Sequence, residues 1–265
     1  MSKRKKILKR TIMVLLVVIF LAAATSAVAL AAELGPGIDA GDSATRGTLG
    51  NLVTTVFGEN TETIDIIILL TLLTLAPSIL VMMTGFTRIV IVLGFIRNAM
   101  GMQQTPPNQV IIGLALFLTF FVMQPVLTEV YDTAYVPYVA NEITQDEMLD
   151  RAAVPLKSFM LRQVFHSDLK FFVEVSGSDA EELEELPMST VIPAFITSEI
   201  KRSFQIGFFL YIPFIIIDMV VASTLMAMGM MMLPPAMISL PFKVLLFVLV
   251  DGWQLVIKTV VTGFG

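Results

Sequence analysis

The sequence contains few of the residues on which soluble enzymes commonly rely. The chain of 265 residues has no cysteine and a single histidine, His166. This composition excludes disulfides, thiolate nucleophiles and zinc–sulfur sites, and one histidine cannot build a multi-histidine metal cluster. No nucleotide-binding motif of the G-x-G-x-x-G or G-x-x-x-x-G-K-[ST] type is present. We therefore expect no cofactor and no metal. Apart from one alternative, a pair of intramembrane aspartates, no catalytic residue is expected either, so the chain is predicted not to be an enzyme.

Charged residues are also scarce. They make up 15% of the chain, whereas hydrophobic residues make up 56%; a typical soluble domain is about 25% charged and about 45–50% apolar. The formal net charge is −5, and 6 of the 17 basic residues fall within the first ten positions. With no basic stripe elsewhere, nucleic acid is not an expected partner. The composition predicts a membrane protein in contact with lipid.

The first residues resemble a targeting segment. A basic start is followed by an apolar run, Ile12–Ala24, and then by small residues. This order predicts a signal peptide over residues 1–29, with cleavage after Ala29 or Ala31; the alternative is an uncleaved first anchor. The Gly- and Thr-rich stretch over residues 30–62 is predicted to be a mostly disordered extracytoplasmic tail or linker.

Long apolar units dominate the rest of the chain. About 20 residues of helix cover roughly 30 Å, the thickness of a hydrocarbon core. The first unit contains Pro77 and Gly85 and is longer than one span needs, so it is predicted to be a kinked helix or a helical hairpin. Together the units predict an all-α, multi-helix integral membrane protein. They cover residues 64–96, 110–130, 204–225 and 242–261.

One long segment, residues 131–202, is polar and acidic. Glu129 through Arg202 contain 14 acidic and 6 basic residues. The positive-inside rule and the signal peptide both place this segment outside the cytoplasm. Within it, apolar residues at helical spacing predict an amphipathic helix over residues 146–172, kinked or restarted at Pro155, and residues 176–185 are predicted to be a solvated loop.

Three ionisable residues lie inside otherwise apolar segments: Asp218, Lys243 and Asp251. Such residues are costly in a membrane, by roughly 2.5–3.5 kcal/mol each, so a functional or pairing role is expected. One hypothesis makes Asp218 and Asp251 a catalytic dyad, as in an intramembrane aspartic protease. The favoured hypothesis is pairing between helices, for instance with Lys243 or Glu199. A proton-channel role for Asp218 is a third option.

Methionine is strongly clustered near the end of the third apolar unit. Residues 226–237 contain six of the 17 methionines. Met230, Met231 and Met232 are consecutive and cannot share one helix face, and two prolines follow at 234 and 235. They are therefore predicted to lie at a helix end or in a loop. Repeated around an axis, flexible thioether side chains would form a soft apolar ring that blocks ions and deforms around a polypeptide.

Two long segments and several shorter ones resemble the FliP family of flagellar type III export proteins, homologous to the injectisome SctR family. The first segment is PAFITSEIKRSFQIG over residues 193–207. The second is PFIIID over residues 213–218, followed by ASTLMAMGMMMLPP over 222–235. The resemblance covers roughly residues 63–263 and implies an export-gate domain over 63–265. It also implies a fold of helical hairpins that assemble into a ring-like complex.

The resemblance further implies the partners and the site. The family assembles as a homo-oligomer, a pentamer, with the membrane proteins FliQ and FliR and other export-apparatus and basal-body proteins. Together they pass unfolded flagellar proteins across the bacterial inner membrane. The family's methionine gasket corresponds to Met230, Met231 and Met232. Glu199, Lys243 and Phe159 are candidate contacts between subunits. An injectisome subunit, an intramembrane aspartic protease and a small ion channel are the alternatives.

Overall fold

The computed structural model describes residues 75, 78–79, 81–102, 105–177, 183–230 and 232–265. The predicted signal peptide, the linker over 30–62 and Met231 therefore lie outside the described residues. Contacts divide the chain into two units, Met1–Leu80 and Val81–Gly265. All helices described below belong to the second unit. The described residues form helices, turns and loops and include no strand, which confirms the predicted all-α fold.

The second unit is built from helices of very different lengths. A π-helical segment, Tyr131–Tyr135, joins two of them without a turn. In chain order the α-helices are α1 (Phe86–Ala99), α2 (Asn108–Val130), α3 (Val136–Val139), α4 (Gln145–Gln163), α5 (His166–Ser176), α6 (Met188–Ala227), α7 (Pro235–Leu249) and α8 (Gly252–Thr262).

Two of these helical stretches are long and apolar enough to cross a membrane. Asn108–Val139 has 32 residues and a mean hydropathy of 2.4, and Met188–Ala227 has 40 residues and a mean hydropathy of 2.2. Helices α7 and α8 together pass the same test but are bent by 64°. The bend lies at Asp251, whose φ of 51° is in the left-handed region. The apolar unit predicted over 242–261 is thus a broken pair of helices.

The helices enclose two apolar cores, and α6 contributes to both. The first core brings together residues of α1, α2, α6, α7 and α8, including Ile89, Val92, Phe214, Phe247 and Val256. The second brings together α2, α4, α5 and the beginning of α6, including Met123, Phe159, Met160, Leu169 and Phe195. At about 1.5 Å per residue, α6 is about 60 Å long, so it links the two cores and continues beyond them.

The predicted amphipathic helix exists, but it does not restart at Pro155. Pro155 is buried inside the continuous helix α4. The interruption comes at Val164 and Phe165, which have extended backbone angles between α4 and α5. There the backbone N–H of Phe165 donates to the side-chain oxygen of Ser198 on α6 at 3.0 Å. A chain leaves a helix readily where a neighbour satisfies the freed backbone group.

The predicted solvated loop over residues 176–185 is described only at its ends. Residues 178–182 lie outside the described residues. Ser176 ends α5, Gly177 adopts a left-handed conformation as its C-terminal cap, and Leu183–Glu185 form an exposed turn before α6.

At the contact between α1 and α6, Gly207 of α6 leaves room for the ring of Phe95 of α1. A Cβ atom at Gly207 would lie 2.5 Å from a ring carbon of Phe95. We predict that Gly207→Ala destabilises the protein by about 1–3 kcal/mol through overpacking. Thermal unfolding in detergent measures this. Gly94→Ala is the matched control, because a Cβ there meets nothing within 4 Å. Equal melting temperatures for the two variants would contradict the prediction.

Candidate functional site

The predicted methionine loop is the connection between α6 and α7, residues 228–234. Helix α6 ends in a Schellman motif, in which the N–H of Gly229 donates to the carbonyl of Met226 and the N–H of Met230 to that of Leu225, both at 3.0 Å. Gly229 has a φ of +76°, which favours glycine. Pro234 then precedes the first residue of α7, Pro235, whose fixed φ suits a helix start.

The loop presents methionine side chains outward. Met232 is 98% exposed, Met226, Met228 and Met237 are also well exposed, and Met230 is half-buried. The prediction that these residues lie at a helix end or in a loop is confirmed for Met230 and Met232; Met231 lies outside the described residues.

An ion pair ties the two helices of this hairpin together. The Nζ atom of Lys243 on α7 donates to Asp218 Oδ2 on α6 at 2.6 Å, and the hydroxyl of Ser239 donates to Asp218 Oδ1 at 2.6 Å. Lys243 is buried and Asp218 is half-buried. Between apolar helices such a pair is held by the low polarity of its surroundings. It fixes the register of α6 against α7, about ten residues from the loop.

The ion pair agrees with the pairing hypothesis for Asp218. Pairing between helices, with Lys243, is what the structure shows. A shared-proton dyad would need a second carboxylate against Asp218. Instead, Ser239 and Lys243 occupy both Asp218 oxygens, and Asp251 lies exposed at the bend between α7 and α8.

A second and fully buried charge network lies away from the loop, where α1, α4 and α6 meet. Arg88 of α1 and Glu199 of α6 are each 0% exposed. Nε of Arg88 donates to Glu199 Oε2 at 2.8 Å, and Nη2 contacts Oε1, so the pair is bidentate. The same Nη2 also donates to the side-chain carbonyl of Gln163, at the end of α4, at 3.0 Å.

The network continues to the residues that follow α8. Nη1 of Arg88 donates to the carbonyl of Gly263 at 2.7 Å, and Nε2 of Gln163 donates to the carbonyl of Phe264 at 3.0 Å. The Arg88 guanidinium also lies 3.7 Å from the centroid of the Phe264 ring, a cation–π contact. Arg202 adds hydrogen bonds to Gln163 from the next turn of α6.

The three candidate subunit contacts all have partners within the chain. Glu199 pairs with Arg88, and Lys243 pairs with Asp218. Phe159 is buried in the second core, with ring centroids 6.0 Å from Phe195 and 6.3 Å from Phe264. Their role between subunits stays a prediction, and the contacts described here show what each of them does inside one subunit.

Sequence reasoning missed Arg88, Gln163 and Phe264 as members of a site. Arg88 was visible as a lone charge interrupting an apolar run, the same signal that singled out Asp218. Gln163 and Phe264 had no comparable signal. Their partners are distant in the sequence, 75 residues for Arg88 with Gln163 and 101 for Gln163 with Phe264.

These features define a class: a helical membrane protein whose buried charge network supports a long hairpin with an exposed apolar tip. The model of the FliP family matches residues 69–260, and the chain belongs to this family. It is 53% identical to the flagellar biosynthetic protein FliP of Bacillus subtilis over 204 residues, 77% of this chain and 92% of the relative. It is also 54% identical to the protein of that name from Pectobacterium carotovorum over 205 residues, 77% of this chain and 80% of the relative. The family places the chain among the components of the flagellar export apparatus.

The buried pair predicts that removal of the Glu199 carboxylate lowers the free energy of unfolding far more than removal of the exposed Glu147 carboxylate. Glu199→Ala leaves the Arg88 guanidinium buried without its counter-ion, and we expect a loss of about 3–5 kcal/mol in the free energy of unfolding. Glu147→Ala is the matched control, because Glu147 forms an exposed pair with Arg151 on α4; its expected cost is below about 1 kcal/mol. Denaturant titration in detergent measures both. Comparable losses would show that Arg88 does not depend on Glu199.

Proposed function

We propose that this chain is a pore-forming subunit of the flagellar protein export gate, in which several copies bring their methionine loops to a common axis. The observation that carries the proposal is the loop itself. A Schellman cap and two prolines hold an exposed thioether side chain, Met232, at the tip of a braced hairpin. The proposed role is not enzymatic: among the residues that the structure describes, Asp218 contacts Ser239 and Lys243 rather than a second carboxylate.

Methionine suits a seal that must both close and yield. Its unbranched side chain has three rotatable bonds and a polarizable sulfur, so it adapts to irregular surfaces. A ring of such side chains excludes water and ions by dewetting when closed. It can also deform around an unfolded chain of varying side-chain size. The braced helices below the loop supply the fixed frame that such a seal needs.

The exposed apolar faces support an assembly within a membrane. Large side chains along the two long apolar helical stretches are more than half exposed, among them Phe117, Phe121, Phe208, Phe209 and Met219. Soluble monomers rarely expose contiguous apolar surface of this extent. In the proposed assembly, neighbouring copies and lipid cover these faces. The form proposed for this assembly, following the resemblance to the family, is a pentamer with FliQ and FliR in the bacterial inner membrane, with the acidic segment 131–202 on the outer side.

The gate predicts an ion leak when the methionine side chains are shortened. We expect Met230→Ala/Met232→Ala to raise ion conductance through the reconstituted or cell-embedded complex, because alanine leaves the ring too wide to exclude water. The measurement is single-channel current or ion-sensitive growth in cells carrying the variant.

Met219→Ala is the matched control. Met219 is an exposed methionine on α6, away from the loop, so this variant should conduct like the wild type. Conductance that is unchanged by the loop variant, or raised equally by both variants, would contradict the gate.

The assembly predicts a complex several times heavier than the 29.1 kDa chain. Native mass spectrometry of the protein extracted in mild detergent should give a mass that contains five copies.

Asp218→Asn removes the charge that holds Lys243 and is expected to weaken this assembly through the hairpin. Recovery of a lone monomer from wild-type membranes would contradict all pore models, and loss of a peptide-cleaving activity in an intact Asp218→Asn complex would favour the protease.

A further inference from the structure

The residues after α8 return to the base of the hairpin that carries the methionine loop. Helix α6 leads out to the loop, and α7 and α8 lead back. The outgoing leg is held at Glu199 and the returning leg at Gly263, and both are bound by the single guanidinium of Arg88. Arg88 therefore joins two points of the chain that are 64 positions apart in sequence but adjacent in space.

Phe264 packs against the Arg88 guanidinium at this point. The Arg88 guanidinium lies over its ring, the ring stacks with Phe159 of α4, and the Phe264 carbonyl accepts from Gln163. Phe264 thus contacts α1 and α4 at once. An aromatic ring that covers a buried guanidinium also excludes water from the charged pair beneath it.

Gly85 leaves the space that the Phe264 ring occupies. A Cβ atom at Gly85 would lie 2.5 Å from one ring carbon and 2.7 Å from the next. Gly85 has a φ of −69°, which any residue can adopt. Its lack of a side chain is therefore explained by this close approach and by no backbone requirement.

We infer that Phe264, seated on Gly85 above Arg88, is a positioning residue that clamps the returning leg of the hairpin and thereby holds the methionine loop. The inference rests on the proposed function for its consequence at the gate. Three links connect Phe264 to the methionine loop. Phe264 fixes the end of α8, and α8 joins α7 at the bend at Asp251. The Asp218–Lys243 pair then joins α7 to α6 below the loop. Releasing the clamp frees one of two legs.

The test is hydrogen–deuterium exchange on the purified wild-type complex and its variants. Phe264→Ala should speed exchange by on the order of tenfold over both α8 and the methionine loop, because local opening of the returning leg becomes easier. Phe264→Leu keeps apolar bulk but loses the contact with the guanidinium, so its rates should fall between wild type and alanine. This milder variant supplies the measurement if Phe264→Ala does not assemble.

Gly85→Ala separates the clamp from a general loss of packing. Its Cβ should displace an unaltered Phe264 ring and reproduce the faster exchange. In the Phe264→Ala background the same substitution has free space, so the double variant should be no faster than Phe264→Ala alone. Additive effects would show that the two residues act independently and would overturn the clamp.

The outcomes separate this inference from the gate itself. Two results with the Phe264 variants would overturn the inference. One is faster exchange in α8 while the methionine loop exchanges at the wild-type rate, and the other is an exchange rate in α8 that does not change. If loop exchange rises while the Met230→Ala/Met232→Ala complex shows no leak, the clamp stands and the gate fails. If the methionine variant leaks while exchange in Phe264→Ala and Phe264→Leu stays at wild-type rates, the gate stands and the clamp fails.

Discussion

The buried pair of Arg88 and Glu199 is the interaction on which the described structure depends. Both side chains are removed from solvent, and each would be costly alone because a buried charge without a partner loses its hydration. The pair is stable only where α1 and α6 meet in one register. Gln163 and the carbonyl of Gly263 use further donors of the same guanidinium. One arginine therefore sets the relative positions of α1, α4, α6 and the chain after α8.

The hairpin that extends from this centre is ordered by different means along its length. At its base it is held by the charge network, and in its middle by Asp218 and Lys243. At its tip, backbone capping at Gly229 and the two prolines define the turn. Phe214 of α6 and Phe247 of α7 add apolar packing within the first core, while many other side chains of these two helices face outward. Directional polar contacts thus define a hairpin whose surface is left free for lipid and neighbouring copies.

Much of the site could be predicted because its signals are local. Six methionines in 12 residues, with two prolines among them, indicate a loop, and charges in apolar runs indicate pairing. Pro155 shows the limit of the same reasoning, because α4 continues through this proline without the predicted restart. The chain breaks instead at Phe165, where Ser198 on another helix offers a hydrogen bond that no local pattern reveals.

The sequence by itself determined the all-α class, the membrane character, the family and the place of the methionine loop. These follow from composition, from helical spacing and from runs of residues that are contiguous in the chain. Only the tertiary structure decided that Glu199 pairs with Arg88, that Asp218 pairs with Lys243 and that Phe264 covers the network. Those choices depend on which helices approach one another, because burial turns an unpaired charge into a large cost that only a correctly placed distant partner removes.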